Sequence, residues 1–242
     1  MGRFDDLSAR DRVMVALDCG PEEARALADK LEGHATWLKV GITLIYDGGL
    51  PLVKELRDRG FKIFVDSKFH DIPHQVRGAV MSAAHSGADL VTVHGSGSEK
   101  MLVACHEAAE QSLVEFGHKP YVIAITVLTS MDAEELAMVG VTRSIPDQAA
   151  ALAKLAVDSG LDGIVCSPME AREMRELLGP DALIVTPGVR PAGAALGDQS
   201  RVATPAAAVN AGASHIVVGR PITQAGDPVA AFESIVAEIE AR

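Results

Sequence analysis

Aromatic side chains are scarce here: one Trp, two Tyr and six Phe among 242 residues. The interior must therefore be built from Ala, Val, Ile and Leu, a mix that suits a parallel sheet covered by Ala-rich helices. Cations are also in deficit, and the formal net charge of −11 argues against a nucleic-acid partner, which needs a basic face to displace counterions. A single phosphate is not excluded, because a few cations focused in a cleft attract it whatever the net charge. Cysteine is limited to Cys19, Cys105 and Cys166, with no CxxC pair. An odd, scattered set excludes a disulfide framework and points to buried thiols in a reducing compartment. No apolar run approaches the roughly 20 residues that span a bilayer, and the opening MGRFDDLSARDR lacks the apolar core of a signal peptide. The expectation is a cytoplasmic protein with no membrane partner. No linker or low-complexity tract divides the chain, so residues 1–242 are expected to form one domain.

Eight short aliphatic runs alternate with helical stretches. The runs are Val13–Asp18, Thr36–Gly41, Phe61–Lys68, Leu90–Gly95, Tyr121–Leu128, Gly163–Ser167, Ala182–Val189 and His215–Ile222. Their length and branched-aliphatic content read as buried strands. The intervening stretches carry proline at their starts and glycine past their ends. The first runs from Pro21 to Gly33, the second from Pro51 to Gly60 and the third from Pro73 to Gly87; later ones begin near Ser98, Pro146, Pro168, Pro205 and Pro228. Eight strand–helix units in this length predict a (β/α)₈ TIM barrel, favoured over an open doubly wound sheet, which usually has five or six strands. The Gly- and Ala-rich stretch Pro187–Ala203 is where a mobile lid would sit.

A barrel places its chemistry at the C-terminal ends of the strands. Polar residues gather at those positions: Asp18, Lys39, Asp66 with Lys68, Thr126 with Thr129, Arg190, and Arg220 late in the eighth run. Asp66 and Lys68 are two residues apart and share one face of a strand. With Lys39 beside them and Asp71 beyond, the expected array alternates Lys, Asp, Lys, Asp. A structural ion-pair network is the plain alternative, but desolvation makes a partly buried array a poor source of stability. A preorganised electrostatic site accounts for it better.

The segment Asp66-Ser67-Lys68-Phe69-His70-Asp71-Ile72-Pro73 resembles the D-x-K-x-x-D-I-P signature of orotidine 5′-phosphate decarboxylases. The likeness continues in Val15-Ala16-Leu17-Asp18, Leu38-Lys39-Val40-Gly41, Val127-Leu128-Thr129-Ser130, Thr186-Pro187-Gly188-Val189-Arg190, Gly197-Asp198-Gln199 and Val218-Gly219-Arg220-Pro221-Ile222. The resemblance implies that Lys68 protonates C6 of the pyrimidine as carbon dioxide leaves, with no cofactor and no metal. It places Asp66 beside the substrate carboxylate, with Lys39 bridging the carboxylates and the ribose. Asp71 would be supplied by the neighbouring subunit of a homodimer. Asp18 would bind a ribose hydroxyl and Thr129 would lie against the pyrimidine. Arg190, Gln199, Gly219 and Arg220 would hold the 5′-phosphate. After Asp-Ile-Pro many relatives have Asn-Thr where this chain has His74-Gln75, so Gln75 either replaces a ribose-side threonine with a longer amide or does not contact substrate, and His74 is read as a helix-surface residue.

Two alternatives remain open on sequence alone. One is a magnesium-dependent barrel of the 3-keto-6-phosphogluconate decarboxylase and hexulose-phosphate synthase group. The other is a phosphate-binding barrel without activity. Several features read as structural. His70 and His74 are separated by Pro73 and lack a third ligand, so they are not expected to hold a metal. His94-Gly95-Ser96-Gly97-Ser98 is read as a tight strand-to-helix turn. Met101, Met169 and Met174 are read as helix-packing residues, and Glu22-Glu23 and the run Glu170–Glu176 as solvated faces.

Overall fold

The computed structural model describes residues 2–191 and 203–241. Eight parallel strands close into a barrel in chain order: β1 (Val13–Leu17), β2 (Trp37–Gly41), β3 (Lys62–Phe69), β4 (Leu90–His94), β5 (Tyr121–Ile125), β6 (Gly163–Val165), β7 (Leu183–Thr186) and β8 (His215–Val218). The ring is sealed where Val13 registers with Ile216 and Val15 with Val218. Among the described residues ten α-helices surround it: α1 (Pro21–Leu31), α2 (Ile42–Asp58), α3 (Pro73–His85), α4 (Glu99–Phe116), α5 (Ala133–Met138), α6 (Ile145–Asp158), α7 (Ala171–Leu178), α8 (Pro205–Asn210), α9 (Arg220–Thr223) and α10 (Pro228–Glu240). This is the (β/α)₈ architecture. No helix among the described residues is long and apolar enough to cross a membrane.

The two faces of each strand separate the core into layers, as a side-chain period of two requires. Met14, Ala16, Phe64, Leu90, Ile123 and Val185 form an inner cluster of strand residues. Their neighbours Val13, Val15, Leu17, Ile63 and Val65 belong to an outer cluster shared with the helices. At the end of the barrel where the strands begin, the residue just before an even strand secures the preceding odd one. Asp89 accepts from the Ile63 amide at 2.8 Å, Asp162 from Val122 at 2.9 Å and Ser214 from Ile184 at 3.2 Å. Arg175 adds a staple, donating to the carbonyls of Gly179, Pro180, Ala182 and Gly212 and to Ser214 Oγ.

Several boundaries differ from the sequence reading. The eighth strand stops at Val218, so Arg220 opens the short helix α9 and is not late in a strand. Pro221 has no N–H to donate to a ladder, and its fixed φ suits a first helical turn. The fifth strand ends at Ile125, and α5 follows where no helix was expected. Its signal was present: Asp132 and Glu135 form a reciprocal capping box. The second helix begins at Ile42, ahead of Pro51, and is broken at Gly49, whose φ of 66° and ψ of −176° are open to glycine. Helix α7 starts at Ala171, three residues beyond Pro168, which leaves Met169 exposed on the preceding turn while Met101 and Met174 are buried as expected. The run Glu170–Glu176 is not uniformly solvated. Glu170 is buried and accepts from the Ser167 amide, and Arg175 is turned inward onto its carbonyls.

His215 closes the floor of the barrel, packed edge-on against Phe4 and Trp37. Burial, together with the nearby Arg12 and Lys62 cations, pushes its pKa from 6.5 to about 3, against the weaker pull of Asp11. The unfolded chain therefore binds a proton between pH 6.5 and 3 that the folded chain refuses. Stability falls as the pH drops through that window. At pH 5 this one group should cost about 2 kcal/mol relative to pH 7 or above. Urea unfolding of His215→Gln should show an acid loss smaller by that amount than in the parent; equal losses would mean that His215 does not titrate in this way.

Candidate active site

A cavity of about 450 Å³ opens where the strands end, within the usual range for small-molecule sites. Its floor includes Ala16, Phe64, Ile125, Val165, Cys166 and Val185. Ala16, Phe64, Val165 and Val185 belong to or pack on the inner layer of strand residues, so the site is the place where core packing stops and polar side chains begin.

On one side stands a chain of four alternating charges. Asp18 follows β1, Lys39 lies in β2, and Asp66 and Lys68 end β3. Asp18 Oδ1 lies 3.0 Å from Lys39 Nζ, Lys39 Nζ lies 3.5 Å from Asp66 Oδ2, and Asp66 Oδ2 lies 2.7 Å from Lys68 Nζ. Exposure rises toward both ends: the side chains of Lys39 and Asp66 are 9% and 12% exposed, those of Lys68 and Asp18 29% and 64%. The inner pair is thus fixed and its outer partners face the cavity. Gly41 leaves the room for this, since a Cβ there would stand 3.0 Å from both Asp18 Oδ1 and Lys39 Nζ.

Both inner groups remain charged at neutral pH. Burial alone would lower the Lys39 pKa, but Asp66 and Asp18 outweigh it and the net direction is upward. Burial would likewise raise Asp66, yet the Lys39 and Lys68 ammonium groups and the Thr92 hydroxyl reverse that and hold it below the usual carboxylate range. The two carboxylates of the cavity wall, Asp18 and Asp66, are separated by the Lys39 ammonium. Among the described residues no three His, Cys, Asp or Glu side chains gather as a metal site.

The array differs from the expected one in its fourth member. The order along the sequence suggests Lys39, Asp66, Lys68 and Asp71 as the alternating set, whereas within this chain the set is Asp18, Lys39, Asp66 and Lys68. Asp71 lies exposed outside the cavity lining, and its Oδ1 accepts from the Ile72 amide at 2.7 Å. It turns away because β3 ends at Phe69, and the chain is already heading into Pro73 and α3. Gln75, in the first turn of α3, is likewise exposed and outside the lining.

The cavity is also lined by Pro187, Gly188, Arg190, Gly219 and Arg220, with Gly219 next to Asp18 because β8 pairs with β1. Arg190 is buried, and its amide donates to the Ala203 carbonyl at 3.0 Å beside the Val189–Ala203 bridge. Thr129 lines the cavity from the segment after β5, whereas the Thr126 hydroxyl donates to the Val165 carbonyl at 2.9 Å and does not line it. Gln199 lies outside the described residues, as does most of the expected lid stretch Pro187–Ala203.

Three residues near the site escaped the sequence reading. Gln224 lines the cavity just past α9, hidden by the assumption that the eighth strand ran through Ile222. Thr92 donates to Asp66 Oδ1 at 2.9 Å; in an aliphatic run a threonine reads as strand filler. His94 stacks on His70 with centroids 5.2 Å apart. Burial first, then His70 and Lys68, lower the His94 pKa, so this imidazole is neutral at pH 7. His70 thus finds its partner on β4, not in His74.

Comparison with known proteins places this geometry in context. The model of the "Orotidine 5′-phosphate decarboxylase / HUMPS family" matches residues 11–235. A Moorella thermoacetica protein named orotidine 5′-phosphate decarboxylase is 46% identical over 238 residues, covering 97% of this chain and 94% of that one. One of the same name from Halorhodospira halophila is 50% identical over 231 residues, covering 95% and 96%. Among solved structures, orotidine 5′-phosphate decarboxylase from Lactobacillus acidophilus superposes with a TM-score of 0.85 at 38% identity, covering 95% of this chain and 99% of its own.

Proposed function

Because the chain belongs to the orotidine 5′-phosphate decarboxylase / HUMPS family, we propose that it is a carboxy-lyase converting orotidine 5′-monophosphate to uridine 5′-monophosphate and carbon dioxide. The observation that carries this reading is one cavity lined both by an alternating Asp18–Lys39–Asp66–Lys68 chain and by Arg190 and Arg220. A substrate that bears both a ring carboxylate and a phosphate matches that set of charges.

In the reaction the bond from C6 to the carboxylate carbon breaks, and its electron pair stays on C6 in the ring plane. The Lys68 ammonium stabilises that charge and transfers a proton to C6, while carbon dioxide departs; solvent then reprotonates the lysine. Asp66 stands beside the substrate carboxylate and holds the Lys68 ammonium at 2.7 Å. Lys39 bridges the carboxylates and the ribose, Asp18 takes a ribose hydroxyl, and Thr129 lies against the pyrimidine. Arg190, Gln199, Arg220 and the Gly219 backbone hold the phosphate, with guanidinium–phosphate pairing as the main attraction. Asp71 is supplied across the interface of a homodimer, which accounts for its position outside this chain's own cavity. Residues 1–242 act as a single barrel domain in the cytoplasm.

The family name also covers the magnesium-dependent sugar-phosphate barrels, and one assay separates the two. Loss of orotidine monophosphate absorbance should proceed at the same rate in excess chelator. A rate that collapses on chelation and returns with magnesium would favour the second group, and absence of turnover with tight 6-substituted uridine monophosphate binding would favour an inactive barrel.

A further inference from the structure

The ladder between β3 and β4 pairs Val65 with Val91 and next pairs Phe69 with Val93. Four steps along β3 thus oppose two along β4, and the surplus lies in Asp66, Ser67 and Lys68. Lys68 absorbs it with a φ of 52°, in the left-handed region that a lysine keeps only where its surroundings hold it. A bulge also takes amides away from their ladder partners, and such amides need another acceptor.

Thr92 provides that acceptor. The Lys68 amide donates to Thr92 Oγ1 at 3.0 Å, and the same hydroxyl donates to Asp66 Oδ1 at 2.9 Å. A hydroxyl has one proton, so the direction of both bonds is settled: the proton points to the carboxylate and a lone pair receives the amide. Thr92 is fully buried and does not line the cavity. With Oδ1 occupied, Asp66 turns Oδ2 toward Lys39 and Lys68. One side chain thereby ties the backbone of Lys68 to the carboxylate that its own ammonium contacts.

We propose that Thr92 is a positioning residue for decarboxylation, its hydroxyl locking the β3 bulge to the Asp66 carboxylate and so aiming the Lys68 ammonium at the reacting carbon. This rests on Lys68 being the proton donor. Thr92→Val keeps the shape and loses both hydrogen bonds, whereas Thr92→Ser keeps the hydroxyl and loses a methyl group.

The test compares kcat and KM for orotidine monophosphate, urea midpoints, and hydrogen exchange at the Lys68 amide in the parent and both variants. Thr92→Val should lower kcat about 10- to 100-fold, the range expected for losing a hydrogen bond to a charged group. KM should move by no more than about threefold, since uniform binding is untouched. Thr92→Ser should restore most of kcat, and the Lys68 amide should exchange faster in the valine variant alone. An unchanged kcat in Thr92→Val overturns the proposal, as does a serine variant no better than the valine one. If Thr92→Val does not fold, Thr92→Ala against Thr92→Ser makes the same comparison. If the parent itself does not turn over the substrate, the assigned reaction falls, and amide exchange alone then judges whether Thr92 holds the bulge.

Discussion

Lys68→Ala should lower kcat on orotidine 5′-monophosphate by at least about 10⁴-fold, because under the proposed mechanism one substitution removes both the general acid and the charge facing the developing carbanion. The protein should still fold. Lys68 is at the open end of the array, and Asp66 keeps Lys39 and the Thr92 hydroxyl as partners when the outer ammonium is gone. Uridine monophosphate should accordingly bind the variant within about tenfold of the parent, since the phosphate contacts supply most of the attraction. Residual turnover above that level would remove Lys68 from the proton-donor role. The same variant tests the dimer. Mixed and reassociated with Asp71→Ala, it should regain about a quarter of parental activity, because random pairing leaves half the dimers hybrid and each hybrid has one intact site. No recovery from subunits shown to exchange would mean that Asp71 does not act across an interface.

Arg220→Ala should reduce kcat/KM about 100-fold through the loss of a charge-assisted phosphate contact. The phosphate takes no part in bond breaking, so its contribution comes as binding energy spent on holding the ring and carboxylate against Asp66 and Lys68. Arg220 is exposed while Arg190 is buried, so truncating Arg220 removes a guanidinium from the cavity lining with little disturbance of the core. Kinetics on the phosphate-free nucleoside give the discriminating readout. Its slow turnover by the parent should rise when phosphite is added, and Arg220→Ala should respond less. A variant that responds to phosphite like the parent would place the phosphate away from Arg220.

Much of the fold was legible residue by residue. Val13–Leu17, Trp37–Gly41 and Leu90–His94 appear as strands within a residue or so of where their aliphatic runs suggested. Pro21, Pro73, Pro205 and Pro228 each open a helix. Errors collected where a local pattern had a second meaning. Val218-Gly219-Arg220-Pro221-Ile222 reads as a continuing strand until the proline is given its steric weight. Met169 reads as helix packing only if α7 begins three residues earlier than it does. Of the candidate site residues, Asp18, Lys39, Asp66, Lys68, Thr129, Arg190, Gly219 and Arg220 line one cavity, while Asp71 and Gln75 lie outside it.

What the sequence determined by itself was therefore periodic and local: eight aliphatic runs, proline and glycine punctuation, and charges at the ends of strands. Such features depend on a few neighbouring residues, and a period of two fixes which of them share a face. Only the tertiary structure decided which charges pair. Asp18 and Lys39 are 21 positions apart and meet because β1 and β2 end side by side, while Asp71, three positions from Lys68, faces outward. Likewise Thr92, 24 positions from Lys68, holds its amide because the β3–β4 register slips at the bulge. Register between strands is set by the packing of the whole barrel, so the partner of a side chain at its mouth cannot be read from the segment that carries it.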